Sequence, residues 1–388
     1  MTTLTLRNAD RLQHAAVSRL TVYVAGRVHA LLYPFQAWLV DEVAQAADSE
    51  GNADAGGLAL VVNQADGRWR AVVREYADLL TKARRQAGAI AFGPWLVKHN
   101  HFFPAAVERL QEATFTPSAD DYYRLAEMWL RRRNYALGVA QQRVYGDGLN
   151  LSSRIWRLEQ GGMQTIRTTI AQGMAQRTNA WDLARQLEGQ LNADRNWPKW
   201  SEDRLRKMDA RQRARSKEGL WRNAAEQERG VLQARLRIPA GISYNALRLA
   251  RNEIQAANHA VTSDIALNFP GIVGRNVTLS LAHPKIDVCD SAVAENPHEK
   301  TANFLPLHTN CLCYFTEVLM PRADFTRRAG GWVRGENDFL DGYSSWLGWR
   351  SFAPVDVGAM GIAELWQIVD TWMDGDVDAM ATVLDLGR

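Results

Sequence analysis

The sequence predicts a mainly α protein: helical N-terminal and middle regions, with one small α+β Cys/His domain near the C-terminus. Three observations carry that prediction. Along most of the chain apolar residues recur at spacings of three and four, the period of one helix face. Two stretches break the rule. Residues 276–282 (NVTLSLA) alternate, and residues 313–320 (CYFTEVLM) are aromatic and β-branched, so both read as strands. All three cysteines of the chain, Cys289, Cys311 and Cys313, fall near or between those strands.

At 388 residues the chain has room for two or three domains with cores of their own. Changes of texture divide it into a helical region at 1–145, a second helical region with a basic segment at 146–240, a Cys/His domain at 241–320 and an appendix at 321–388. The net charge of +3 excludes a uniformly basic nucleic-acid binder, so any basic surface is local. Three clustered cysteines argue against a disulfide scaffold and suit a reducing compartment. The most apolar run, 20–35, is broken by Arg27, His29 and Pro34, so no membrane span is expected. The N-terminus shows no basic stretch leading into an apolar core, and no signal peptide is expected.

In the first region Leu12, Ala15, Ala16, Leu20, Val24 and Val28 form one helix face, continued after Pro34 by Phe35, Leu39 and Val43. The glycine-rich, acidic stretch 48–57 reads as a loop. A second helix is expected over about 66–88, with Trp69, Val72, Val73, Tyr76, Leu79 and Leu80 inward. Gly93-Pro94 and Phe103-Pro104 predict interruptions. Between them, Lys98-His99-Asn100-His101 reads as a polar loop in preference to a metal half-site, since no acid or cysteine stands nearby in sequence. Ser118 with Asp120 and Asp121 predicts a further helix start. Trp129 beside Arg131, Arg132 and Arg133 reads as a core face backed by a solvated one, in preference to a nucleic-acid contact.

In the second region Ser152-Ser153 is expected to cap a helix carrying Ile155, Leu158, Met163, Ile166, Ile170 and Met174. Thr178-Asn179 begins another with Leu183, Leu187 and Leu191 spaced by four. Residues 194–216 carry eight basic side chains against four acidic ones. Arg204, Arg206, Lys207, Arg211, Arg213 and Arg215 are the candidate contacts to a phosphate backbone, with a solvated helix or linker as the other reading. Ser243 then caps a strong helix with Leu247, Ala250, Ile254, Ala257, Val261 and Ile265 on one face, ending at Phe269-Pro270-Gly271. Residues 322–343 read as irregular, Trp346, Trp349 and Phe352 as packing anchors, and 359–384 as a last helix with an acidic outer face.

The chemistry concentrates in HPKIDVCD and LPLHTNCLC. His308-x-x-Cys311-x-Cys313 has ligand spacing, and Cys289 with His283 would supply the opposite side of a metal site. The expected ion is one structural zinc, held by Cys289, His308 and Cys311 with Cys313 or His283 as fourth ligand. The loop between the strands has too little apolar content to hold itself, and a metal clip could do so. The alternative is three packed cysteines with two surface histidines.

These segments resemble the C-terminal domain of phage Mu F-like minor head proteins, the phage head-morphogenesis family. Asp287, Cys289 and Asp290 match its first element, and Pro306, His308, Cys311 and Cys313 its second. The chain departs from the pattern at Thr309, where proline is usual, and at Ala292, where a CxxC would have its second cysteine. The likeness extends over about 149–320 and includes LSSRIWRLEQ upstream. It implies a structural, non-enzymatic virion protein acting in head assembly near the portal. Its implied partners are the portal or major capsid protein and packaged double-stranded DNA, at the capsid interior or portal vertex after assembly in the host cytoplasm. It also implies that Asp287, Asp290, Arg251 and Glu253 support the site from behind the ligands, although an ordinary ion pair serves equally for the last two. Two alternatives belong to other classes: a metal-dependent nuclease or toxin-like enzyme built on the Cys/His domain, and a DNA-binding module resting on the basic segment.

Overall fold

The computed structural model describes residues 9–46, 51–108, 119–143, 149–191, 242–280, 283, 286–308 and 311–347. Its elements in order are α1 (Ala9–Gln45), α2 (Ala55–Ala89), α3 (Phe92–Glu108), α4 (Ala119–Gln142), α5 (Leu151–Ala175), α6 (Ala180–Leu191), α7 (Ile242–Asn268), β1 (Ile272–Thr278), α8 (Val288–Ala294), β2 (His298–Glu299), β3 (Tyr314–Leu319), α9 (Arg322–Val333) and α10 (Asp341–Leu347). The protein is mainly α, with one small antiparallel sheet near the C-terminus. Among the described residues no helix is long and apolar enough to cross a membrane.

Contacts gather the chain into two units that do not follow the contiguous blocks read from the sequence. One comprises Met1–Thr21, Lys82–Gln142 and Asn252–Arg388, the other Val22–Thr81 and Arg143–Arg251. The reason is helix length: α1, α2 and α7 are each long enough to contribute residues to both.

In the second unit the spacing predicts the buried face of α6 and the middle of that of α5, while Ile155, Leu158 and Met174 are half-buried. Leu183, Leu187 and Leu191 of α6 are buried, as are Met163, Ile166 and Ile170 of α5. The cap of α5 is Asn150, whose side chain accepts from the Ser153 backbone N–H at 2.9 Å, so Ser152 and Ser153 lie inside the helix they were expected to cap. Gly162 permits a close approach: a Cβ there would stand 2.7 Å from the Trp69 ring, whose Nε1–H donates to the Glu159 carbonyl. Helix α2 starts eleven residues earlier than glycine content suggested, because Asp54 accepts from the Gly57 N–H at 2.6 Å and caps it.

In the first unit an aromatic layer forms the core. Phe92, Trp95, Phe102 and Phe103 of α3 pack with Trp129 of α4, Phe269, Phe325 of α9, and Tyr343 and Trp346 of α10. The face of α7 is buried as expected at Ile254, Ala257, Val261 and Ile265. Here three expectations are corrected. Residues 98–101 are not a loop: they lie inside α3, with Lys98 and His99 buried. Pro94 does not break the chain, since it sits in the first helical turn, where its missing N–H has no acceptor to lose. Pro104 likewise stands inside α3. Residues 322–343, read as irregular, form α9 and the start of α10, because Phe325, Ala329, Leu340 and Tyr343 are buried despite the glycines and arginines between them.

The sheet has the order β2-β1-β3, with β1 antiparallel to both neighbours. Val277 pairs with Phe315 and Thr278 with Tyr314. Strand β1 thus begins at Ile272, earlier than the alternation at 276–282 indicated, while β3 falls where the sequence placed it. Residues 192–241 and 348–388, which include the basic segment, Trp349, Phe352 and the expected last helix, lie outside the described residues.

Candidate metal centre

The site is assembled from three pieces of backbone at the end of the sheet. His283 follows β1, α8 carries Cys289 in its first turn, and His308, Cys311 and Cys313 precede β3, with the Cys311 N–H donating to the His308 carbonyl at 3.2 Å. Helix α8 was not anticipated, and it answers why Cys289 stands where it does. Asp287 and Asp290 form a capping box: Asp287 accepts from the Cys289 N–H at 2.8 Å, and Asp290 accepts from the Asp287 N–H at 2.8 Å. The far end of α8 is tied down by side chains. Asn296 exchanges two hydrogen bonds with the backbone of Val277, and His298 Nε2 lies 2.7 Å from the Ala292 carbonyl.

All five sequence-predicted ligands converge. Cys289, His308 and Cys311 each offer a ligand atom within 4.8 Å of the others, and so do His283, Cys289 and Cys313. Cys289 and Cys311 have their sulfurs 3.6 Å apart, and Cys313 Sγ lies 3.9 Å from His283 Nδ1. The three thiols are fully buried among Val277, Ala292, Leu305 and Phe315, with Leu279, Val293, Phe304 and Leu307 packed around them. The expectation that this loop lacks apolar content is therefore corrected: it has a small core, and the cysteines belong to it. Buried thiols and imidazoles at these separations are the donor set a metal ion needs, and the cluster can hold one.

Each of the two aspartates lies against one of the two histidines. Asp290 Oδ2 lies 2.9 Å from His283 Nε2, and Asp287 Oδ2 lies 3.3 Å from His308 Nε2. For His283 this divides the ring: Nε2 is held by a carboxylate, and Nδ1 faces the thiols. Burial raises the Asp287 carboxyl, but the Cys289 N–H and the neighbouring imidazoles outweigh it, and the group titrates below the ordinary carboxylate range. Asp290 is lowered by the Asp287 N–H and by His283. Among the thiols, a hydrogen bond from Cys313 lowers Cys311 to about 5, whereas burial and the adjacent Cys311 push Cys289 up to about 12. Cys313 is raised by its hydrogen bond to Cys311 and by burial. A cation bound in the cluster would take the place of the thiol protons.

Glu253 and Arg251 are placed elsewhere. Glu253 is buried with its carboxylate 3.6 Å from Arg84, an ion pair within the helical core of the first unit. Arg251 is half-buried on α7, at the end of the stretch grouped with the second unit. Arg204, Arg206, Lys207, Arg211, Arg213 and Arg215 lie outside the described residues.

Sequence reasoning missed the groups that hold the sheet to the helices of its own unit. Lys98 is buried and reaches both Asp10 of α1, at 2.6 Å, and Glu317 of β3. Burial lowers its affinity for a proton, but the two carboxylates reverse that and raise it. Arg275 of β1 is fully buried, donates to Ser263 Oγ at 2.8 Å and to the Ala302 carbonyl at 2.7 Å, and lies 3.9 Å above the Phe315 ring. These partners lie 88 and 219 residues from Lys98, and no local pattern could have signalled them.

Comparison of the chain with family models, with curated proteins and with solved structures gives no match, so the site is read from its own geometry.

Proposed function

We propose that the chain is a structural protein of a phage particle, acting in head assembly near the portal, and that one zinc ion holds its Cys/His module closed. The observation that carries the reading is the convergence of HPKIDVCD and LPLHTNCLC, the two segments that resemble the Mu F-like family, on one buried cluster. Thiolates with imidazole suit zinc, and a set of four protein ligands is the closed arrangement of structural sites. Cys289, His308 and Cys311 would hold the ion, with Cys313 or His283 as the fourth. Asp287 and Asp290 are occupied in capping α8 and in orienting the histidines, which supports a holding role over a catalytic one. The partners in this reading are the portal or major capsid protein, and packaged double-stranded DNA along the basic segment.

Two measurements test it. Elemental analysis of protein purified without a histidine tag should give one zinc per chain; metal content near zero would remove the zinc. Co-expression with the portal and major capsid proteins of the same genome should carry the chain into sedimenting particles, and its absence from them would remove the head-assembly role. Cleavage of DNA with added divalent metal, abolished by His308→Ala, would put the nuclease alternative in its place.

A further inference from the structure

Cys289 and Cys311 are 22 residues apart in the chain, yet their sulfurs are 3.6 Å apart. Both are free thiols, and both are buried. One stands in the first turn of α8 and the other on the approach to β3, so a bond between them would join the two pieces of backbone that the metal reading also joins. A disulfide needs its sulfurs about 2.05 Å apart. The pair therefore has about 1.5 Å to close. Cys313 also lies beside Cys311, to which it hydrogen-bonds, and 3.9 Å from His283 Nδ1, but it stands only two residues from Cys311, so a bond between those two would join no second piece of backbone.

We infer that Cys289 and Cys311 form an oxidisable pair that closes into an intrachain disulfide when hydrogen peroxide reaches the metal-free module. The first thiol attacks one peroxide oxygen; the O–O bond breaks, a water leaves, and the sulfur becomes a sulfenic acid. The second thiol attacks that sulfur; the S–S bond forms, the S–O bond breaks, and the second water leaves. Two thiols and one peroxide give one disulfide and two waters, each sulfur losing one electron. Cys313 stays reduced. The inference rests on the metal reading in one respect: an ion bound to both sulfurs engages the lone pairs that would attack.

The test uses the full chain, treated with hydrogen peroxide with and without prior chelation, then alkylated and mapped by mass spectrometry. Free thiols should fall from three to one, with a single cross-linked peptide joining Cys289 to Cys311. Chelation should speed the reaction. Cys313→Ser should still form the bond, and Cys289→Ser should not. Linkage mainly through Cys313, linkage between chains, or survival of all three thiols in the chelated protein would overturn the pair. If the same bond forms equally fast without chelation, the pair stands and the metal reading falls. Should Cys289→Ser fail to fold, the peptide map of the unaltered chain decides alone.

Discussion

His99 and His283 lie in the same unit of the protein and in opposite surroundings. His99 is enclosed by Trp95, Phe103 and Tyr343, with its Nδ1 2.9 Å from the Tyr343 hydroxyl. His283 has a carboxylate on one ring nitrogen and a thiol facing the other. The first environment makes imidazole a core aromatic. The second sets it among the donors that could hold a metal ion. The aromatic layer is assembled from large side chains distant in sequence and coheres by area. The Cys/His module has a smaller core, built around three thiols with Val277, Leu305 and Phe315, and a capping box and tied amides add to its order.

If cohesion is divided in this way, damage to the aromatic layer should leave the module's chemistry intact. Trp95 is almost fully buried and contacts Phe92, His99, Trp129 and Trp346. Trp95→Ala should cost about 3–5 kcal/mol, read from the urea midpoint. Metal content of the folded variant should not change. A parallel loss of metal would mean that the module depends on the layer for its shape, and the contrast would fail.

The histidines offer a second, smaller test. Burial lowers His99 from the ordinary 6.5 to about 3. Between those values the unfolded chain binds a proton that the folded chain does not. The stabilisation is therefore complete above pH 6.5 and is lost as pH falls toward 3. Between pH 7 and pH 5 this amounts to about 2 kcal/mol. His99→Phe should flatten that part of the urea midpoint against pH. His14, lowered by burial to about 4, acts in the same direction and should account for some of the slope that remains. An unchanged slope in the variant would show that His99 is not held neutral.

The two regions also differ in how far they could be read in advance. Helix faces such as Leu183, Leu187 and Leu191 were legible because one period serves both sequence and packing. The convergence of the cysteines was legible because two paired strands bring together the two ends of the loop between them. The burial of Lys98 and His99 was not: polar letters promise solvent unless their partners are known, and Asp10 and Glu317 are remote in the chain. Helix α8 was hidden for another reason. Asp287 and Asp290 invite a reading as metal-site carboxylates, and that role masks the capping box they form.

That double role supplies the smallest and most specific test. Asp290 accepts from the Asp287 N–H and holds His283 Nε2. An asparagine there keeps an oxygen for the cap but removes the charge that steadies the imidazole. Groups behind a ligand are worth 10–100-fold in metal affinity. Asp290 is partly exposed, so Asp290→Asn should lie near the lower bound, about tenfold in a competition titration against a chromophoric zinc chelator. Helix content by circular dichroism should be unaltered. A tenfold loss with unaltered helix content means that the carboxylate acts through His283. An equal loss in His283→Ala, with no further loss in the double variant, would show the two side chains working as one. If Asp290→Asn binds zinc as tightly as the unaltered chain, His283 is not the ligand that Asp290 orients, and His308 with the three thiols completes the site.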